Sequence, residues 1–218
     1  MLRSRLGVAL VLAIVLLVGG GVALYVTPLL AVRTVDTSGV PEALTGQVEA
    51  AVPIGTPLLR VNTGAAEAQI EQIPRVESAT VERSLPSTVT ITVVERVAVV
   101  FVDAADGTHL IDRNGADFAV EAPPEGVIQL ITPTPGTGDR TTEDAVSVLA
   151  GLPADLRPQV VRVEAPTDTA ISLVLADNRT LVWGSADDSG YKADVARALL
   201  TQPGGVYDVS SPDLPTIR

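Results

Sequence analysis

Cysteine is absent from the 218 residues, histidine occurs once, and the aromatic residues are one Trp, three Tyr and two Phe. Without cysteine the chain has no disulfide framework and no thiolate chemistry. A Ser-His-Asp triad would have to use His109, and one His with no Cys makes a poor zinc site. Because aromatic side chains are so few, Val, Leu, Ile and Ala must build the hydrophobic core.

Basic residues are also in short supply: 15 Lys and Arg stand against 26 Asp and Glu, which gives a formal net charge of −11. No basic patch of the kind that nucleic acid requires is visible, and the acidic balance argues against direct binding of anionic lipid headgroups. The acids do not form a calcium loop either, since Asp103-x-x-Asp106-Gly107 lacks the alternating carboxylates. We therefore expect no cofactor, no metal and no nucleic-acid partner, and an exposed loop position for His109.

The segment Leu6–Val26 holds no charged residue. As a helix it would be about 31 Å long, which matches a hydrocarbon core of about 30 Å. Arg3 and Arg5 precede it, so the positive-inside rule predicts a cytoplasmic N-terminus and an extracytoplasmic remainder. The alternative is a cleaved signal peptide, whose apolar region would be shorter. The best cleavage signal, Gly21-Val22-Ala23, lies inside the apolar run, so we favour a retained single span.

The next 65 or so residues predict a compact unit in the order strand, helix, helix, strand, strand. The strands are expected at 31–38, 76–83 and 88–96, and the helices from Pro41 to about 52 and from Ala65 to Ile73. The last strand shows the clearest alternation, with Val89, Ile91 and Val93 on one face. Two helices covering one face of a small sheet make an α+β fold.

The remaining residues predict a mainly antiparallel β domain with helices. Strands are expected at 97–102, 108–112, 116–120, 160–164, 170–176, 179–183 and 205–210. Helices are expected from a Thr141 cap to about Leu152 and over Ser189–Leu200, the latter with Val195, Leu199 and Tyr191 facing inward. Residues 211–218 are expected to form a loose tail.

A series of short segments in this order resembles the FtsQ/DivIB family of bacterial cell-division proteins. The segments are Gly55–Leu59, Ile73–Val76, Ala79–Arg83, Leu85–Val89 and Val94–Arg96, followed by Trp183-Gly184-Ser185 and the helix that carries Lys192. The resemblance implies a cytoplasmic tail over 1–5, a transmembrane helix over 6–26, a POTRA domain over 31–98, an FtsQ-type β domain over 99–210 and a flexible tail over 211–218.

The resemblance also implies a function. Family members are non-enzymatic scaffolds of the division septum that bind the small membrane proteins FtsB and FtsL, and through them contact the septal peptidoglycan synthases. One alternative is a membrane-tethered wall hydrolase that uses paired carboxylates, although few aromatics are present to stack on sugar rings. A POTRA transporter of an outer membrane is a third, but it would carry several POTRA repeats and a barrel of many strands.

The expected partner-binding site is the last predicted strand, because a strand between a helix and a loose tail is expected at a sheet edge. Edge strands present unpaired backbone groups to which an extended partner can add. The residues are Val206, Tyr207, Asp208, Val209 and Ser210, with Arg197 on the preceding helix. Tyr207 is the expected anchor. The resemblance implies the same site, since the family holds FtsB through its C-terminal strand and the helix before it. The alternative is that Tyr207 and Val209 pack in the core.

Overall fold

The computed structural model describes residues 14–15 and 30–218, and the chain divides into two compact units, Met1–Glu95 and Arg96–Arg218. The predicted cytoplasmic tail and the predicted span Leu6–Val26 lie outside the described residues, except for Ile14 and Val15, which are helical. Within the described part of the chain, no helix combines the length and the apolar character needed to cross a bilayer.

The first unit has the predicted order of elements. They are β1 (Thr34–Ser38), α1 (Glu42–Glu49), a 3-10 turn (Leu58–Arg60), α2 (Thr63–Ile70), β2 (Val76–Ser84) and β3 (Thr88–Glu95). Both helices end a few residues earlier than the apolar periodicity suggests. Asn62 caps α2, since its side chain accepts the Ala65 N–H at 3.1 Å and satisfies a donor that the helix leaves free.

The three strands form a sheet in the order β1-β3-β2, in which β1 runs parallel and β2 antiparallel to β3. The predicted alternation in β3 is confirmed, because Val89, Ile91 and Val93 are all buried. They share one core with Val48 of α1 and Ile70 of α2. The aliphatic composition therefore suffices to build this core.

The second unit holds nine strands and two helices. They are β4 (Ala98–Ala104), β5 (Gly107–Asp112), β6 (Asp117–Val120), β7 (Ile128–Ile131), α3 (Arg140–Gly151), β8 (Val160–Glu164), β9 (Ile171–Leu175), β10 (Thr180–Gly184), α4 (Ser189–Leu199), β11 (Val206–Asp208) and β12 (Thr216–Ile217). A 3-10 turn over Arg157–Gln159 precedes β8. Two of the strands, β7 and β12, are absent from the prediction, and β12 lies in the segment 211–218 that was expected to be loose.

All nine strands form one sheet in the order β12-β11-β10-β9-β8-β7-β4-β5-β6. The sheet is mixed, because β4 with β7, β7 with β8 and β10 with β11 run parallel. The other five of the eight pairs are antiparallel, so the expected mainly antiparallel arrangement is confirmed, and the three parallel pairs are additional to it. β7 forms two of the parallel pairs, with β4 and with β8. Because the sequence prediction lacks this strand, it could not include these two pairs.

The two helices of the second unit differ from their predictions in detail. Asp139, not Thr141, caps α3, since its carboxylate accepts the Thr142 N–H at 2.8 Å. In α4 the buried residues are Lys192, Ala193 and Ala196, whereas Tyr191 is 52% exposed and does not face inward. Trp183 is buried in the core, and its indole N–H donates to the Ser189 hydroxyl at 3.0 Å, which ties β10 to the start of α4.

Candidate partner-binding site

The last predicted strand is not at the sheet edge. Tyr207 of β11 lies opposite Leu181 of β10 on one side and opposite Ile217 of β12 on the other. After β11 the chain turns back, with the Leu214 N–H donating to the Ser211 carbonyl at 3.0 Å, and β12 then pairs antiparallel with β11. The expectation that β11 forms the edge is therefore wrong, and β12 occupies that place.

Two of the expected contact residues belong to the core. Tyr207 and Val209 are buried. The Tyr207 hydroxyl donates to the carbonyl oxygens of Gln202, at 2.7 Å, and of Gly204, at 3.0 Å, while the Arg179 guanidinium lies 5.7 Å from the ring centroid. The prediction that Tyr207 is an exposed anchor for a partner is therefore wrong. Its ring is buried in the core, and its hydroxyl is hydrogen-bonded within the second unit.

The other three residues of this segment hold its end in place. Val206 and Asp208 are half-buried and Ser210 is exposed. One oxygen of Asp208 accepts both the Ser210 N–H, at 3.0 Å, and the Ser210 hydroxyl, at 2.7 Å, and this local turn ends the strand. The other Asp208 oxygen lies 3.7 Å from the Arg218 guanidinium, so Asp208 also connects β11 to the end of β12.

Arg197 lies on the exposed side of α4 but is engaged by acids. Its guanidinium donates to the two oxygens of Asp155 at 2.8 and 3.0 Å, and it lies 3.7 Å from Asp194. The hydrogen bonds from Arg197 lower the pKa of Asp155. Arg197 therefore presents its charge from a fixed, fork-like position on the surface.

The outer side of β12 carries the open backbone. Val206 and Arg218 exchange two backbone hydrogen bonds, each of 2.9 Å. Since hydrogen-bonded pairs alternate along an antiparallel ladder, the N–H and C=O of Ile217 point away from β11. An added strand would find these groups at the edge of the sheet.

Exposed apolar and aromatic side chains lie beside this edge, and the sequence reasoning missed them. The Tyr191 hydroxyl donates to Asp213 at 3.3 Å, which brings α4 against the segment before β12. Leu214, the next residue, is 81% exposed. We call Tyr191, Asp213, Leu214, Thr216 and Ile217 the C-terminal surface. An isolated Leu between Pro212 and Pro215 is the one sequence signal that could have indicated it, because nothing local explains an apolar residue there.

His109 is the other residue that the sequence singles out, and it is not in a loop. It lies in β5, where Nδ1 is 2.6 Å from an oxygen of Asp117 and Nε2 is 3.1 Å from an oxygen of Asp106. The hydrogen bonds to Asp117 and then Asp106 raise the pKa of His109. Among the described residues, no group of three or more His, Asp or Glu side chains is placed to hold a metal. These two contacts link β5 to β6 and to the turn before β5. We call this group of three side chains the His109 clamp.

Comparison with known proteins assigns both units. A model of the FtsQ-type POTRA domain matches residues 35–96, and a model of the C-terminal domain of cell division protein FtsQ/DivIB matches residues 100–214. The chain belongs to the FtsQ/DivIB family. It is thus a cell-division protein with a POTRA domain, as the short segments in the sequence indicated.

Individual relatives agree with this assignment. The chain is 47% identical to cell division protein FtsQ of Mycobacteroides abscessus, over 95% of this chain and 68% of that protein. It is also 47% identical to FtsQ of Mycolicibacterium smegmatis, over 94% of this chain and 62% of that protein. FtsQ of Corynebacterium glutamicum is 31% identical, over 97% of this chain and 96% of that protein. The chain therefore spans roughly two thirds of the mycobacterial relatives and nearly all of the corynebacterial one.

Proposed function

We propose that this protein is a non-enzymatic, single-pass scaffold of the division septum. The uncharged segment Leu6–Val26 anchors it in the cytoplasmic membrane, with Arg3 and Arg5 on the cytoplasmic side and both units outside. Its partners are FtsB-like and FtsL-like membrane proteins, through which it reaches the septal peptidoglycan synthases. Membership of the FtsQ/DivIB family supports this assignment.

The observation that carries the proposal is the open edge of β12 beside two exposed side chains. A partner segment adds as a further strand, and the N–H and C=O of Ile217 pair with its backbone. Tyr191 and Leu214 supply the large aromatic and aliphatic contacts that commonly dominate interface energies. Arg197 and Ser210 provide polar contacts around them, while Tyr207 and Val209 act indirectly, by holding β11 and hence β12 in position.

The test is recruitment of an FtsB-like partner by the full chain in cross-linked membranes. Leu214→Glu places a charge on the contact surface, and Ile217→Pro removes the outward N–H of β12. Both changes should abolish co-purification of the partner. Leu214→Glu should leave the thermal melt nearly unchanged, whereas Ile217→Pro should lower it, because the Ile217 side chain is partly buried against the core. Val120→Glu is the matched control, since Val120 is an exposed apolar residue on β6, at the opposite edge of the same sheet. Equal recruitment by all three variants would refute this site.

Two further measurements test the remaining parts of the proposal. A reporter that is active only outside the cytoplasm should work when fused after Arg218 and fail when fused before Leu6. The reverse pattern would overturn the proposed topology. The purified protein should also leave peptidoglycan intact, and degradation that disappears with a single Asp or Glu substitution would refute the scaffold role.

A further inference from the structure

The point at which the chain enters the first unit is fixed by a loop. Ala31 forms an antiparallel bridge with Pro57. The Val32 N–H donates to the Thr56 carbonyl at 2.9 Å, and the Gly55 N–H donates to the Val32 carbonyl at 2.8 Å. Residues 53–59 are therefore held directly beside Ala31 and Val32, which follow the apolar run by only a few positions in the sequence.

The β2–β3 hairpin reaches the same end of the unit. Arg33 and Thr34 both donate their backbone N–H groups to the Ser87 carbonyl, at 2.8 and 3.3 Å. The Arg83 guanidinium donates to the Val61 carbonyl at 2.7 Å, which links the hairpin to the chain just after the 3-10 turn. The entry point, the 53–61 segment and the 84–87 hairpin tip thus form one connected end of the domain.

Three large apolar side chains are exposed at this end. Ile54 is 73% exposed, Leu85 is 72% exposed and Leu59 is 45% exposed, although Leu58 beside it is fully buried. Each lies on one of the two segments that are bonded to residues 31–34. Apolar side chains that converge on one end of a small domain, on separate loops, indicate a contact surface and not isolated exposed residues.

The length of chain before Ala31 indicates what that surface contacts. Four residues separate Val26 from Ala31, so five steps of about 3.6 Å place these two residues at most about 18 Å apart. With the apolar run in a bilayer, the end of the domain that holds Ala31 is kept within this distance of the hydrocarbon core. Interfacial apolar groups are typically buried about 5–10 Å into the headgroup and acyl boundary, so the exposed side chains are within reach of it.

The end of the first unit that holds Ala31 carries several arginines, although the net charge of the whole chain is −11. This local charge favours contact with an anionic membrane surface. Arg33 and Arg60 are exposed beside the loop, and Arg83 lies at the hairpin. Glu49 is the acid that shares a surface cavity with Arg33 and Ile54. Glu82, which directly precedes Arg83 in β2, is a second acid at this end, so the three arginines outnumber these two acids. Arginines near a membrane surface are attracted to anionic headgroups.

We propose that Ile54, Leu59 and Leu85 form a membrane-contact surface that inserts into the headgroup boundary of the outer leaflet, with Arg33 and Arg60 against the anionic headgroups. The proposal rests on the membrane anchor proposed above. Two loops of the same end, held together by backbone hydrogen bonds, insert on either side of the entry point. These contacts hold the first unit against the bilayer in one orientation.

The absence of natural cysteine makes a direct test possible. Ile54→Cys, Leu85→Cys and Val94→Cys are each labelled with a bimane fluorophore in the full chain, which is then reconstituted into phosphatidylcholine–phosphatidylglycerol vesicles with bromine near the headgroup end of the acyl chains. Val94 is the matched control, because it is 49% exposed in the same unit. It lies six residues beyond Thr88 in β3, so it is about 20 Å from the hairpin end.

The labels at 54 and 85 should be quenched by the brominated lipid and emit at shorter wavelength, whereas the label at 94 should show neither effect. Omitting phosphatidylglycerol, or introducing Arg33→Glu, should reduce the quenching at 54. A chain that floats with the vesicles but shows equal signals at all three positions overturns the contact surface and leaves the anchor intact. A chain that does not float with them overturns both. Quenching that is lost as the protein-to-lipid ratio rises would indicate a second protein copy as the occupant and refute the lipid assignment.

Discussion

β2 is an edge strand of the three-stranded sheet, and β12 is an edge strand of the nine-stranded sheet. The two strands differ in how their unpaired side is covered. In the three-stranded sheet, α2 lies along β2. Glu67 accepts the Val81 N–H at 2.8 Å, and Glu71, one helical turn later, accepts the Ala79 N–H at 3.3 Å. Two carboxylates therefore take the place that a partner strand's carbonyl groups would occupy.

The nine-stranded sheet ends instead in β12, which is only two residues long. The outward N–H of Ile217 has no carboxylate bonded to it among the described residues, and exposed Leu214 stands nearby. Native edges are commonly protected against strand addition, and β2 follows that pattern. The comparison suggests that β2 is closed to partners, while β12 remains available and is limited only by its short length.

The largest expected effect on stability concerns β11, which lies between the edge strand β12 and the rest of the nine-stranded sheet. Tyr207→Ala removes a buried ring and should cost about 3–5 kcal/mol of unfolding free energy, as for other buried aromatic truncations. Denaturant unfolding followed by the fluorescence of Trp183 would measure it. Tyr207→Phe is the control, since it keeps the ring and loses only the hydroxyl bonds to Gln202 and Gly204. A small loss for the alanine variant would mean that β11 is not core.

The next effect concerns the closed edge. The double change Glu67→Ala and Glu71→Ala leaves two backbone N–H groups on β2 unpaired, at about 1–3 kcal/mol per buried donor. We also expect concentration-dependent self-association, since the uncovered edge can pair with another copy. Sedimentation and thermal melts would measure the two effects. Glu82→Ala removes a surface charge from β2 without uncovering the edge, so it should remain monomeric, and association of that variant would point to charge instead.

A smaller effect is expected at β6, the other end of the nine-stranded sheet. Hydrogen bonds to the carboxylates of Asp117 and then Asp106 raise the pKa of His109 above its ordinary value of 6.5. A raised folded-state pKa means that this stabilisation is complete below about pH 6.5 and is lost as the pH rises through the folded-state pKa. The melting temperature of the natural protein minus that of His109→Gln should therefore be constant below about pH 6.5 and fall as the pH rises above it. A difference that is flat with pH would refute the His109 clamp.

These contrasts also show which features the sequence could predict. The period of two in Val89, Ile91 and Val93 reflects burial on one face, and burial is a local property of each position. The neighbour of a strand is not local, so chain order placed β11 at the edge although β12 returns to cover it. A two-residue strand is too short to show any period, and the four-residue strand β7 hardly shows one.

In α4 the predicted helix phase was right for Val195 and Leu199, which pack against the core, and wrong for Tyr191. The apolar pattern predicts that Tyr191 faces the core. In the structure Lys192 is buried instead, and Tyr191 is exposed. The Lys192 ammonium donates to the Ser185 carbonyl at 2.9 Å, and burial lowers the pKa of this group. Sequence rules place lysine outside because they cannot foresee a backbone carbonyl that accepts a hydrogen bond from its ammonium group in the folded protein. The exposed Tyr191 of the C-terminal surface was missed for this reason.

The smallest effect on stability is expected at Arg197, and it tests whether the available edge extends onto α4. Its pair with Asp155 is solvent-exposed, so Arg197→Ala should leave the melting temperature nearly unchanged. If the guanidinium contacts the partner, recruitment of the FtsB-like protein should nevertheless fall. Asp155→Ala is the matched control, because it breaks the same ion pair and keeps the cation. Reduced recruitment with Arg197→Ala alone assigns the guanidinium to the interface. Equal reductions would show that the pair only positions α4, and unchanged recruitment in both would confine the site to β12 and the C-terminal surface.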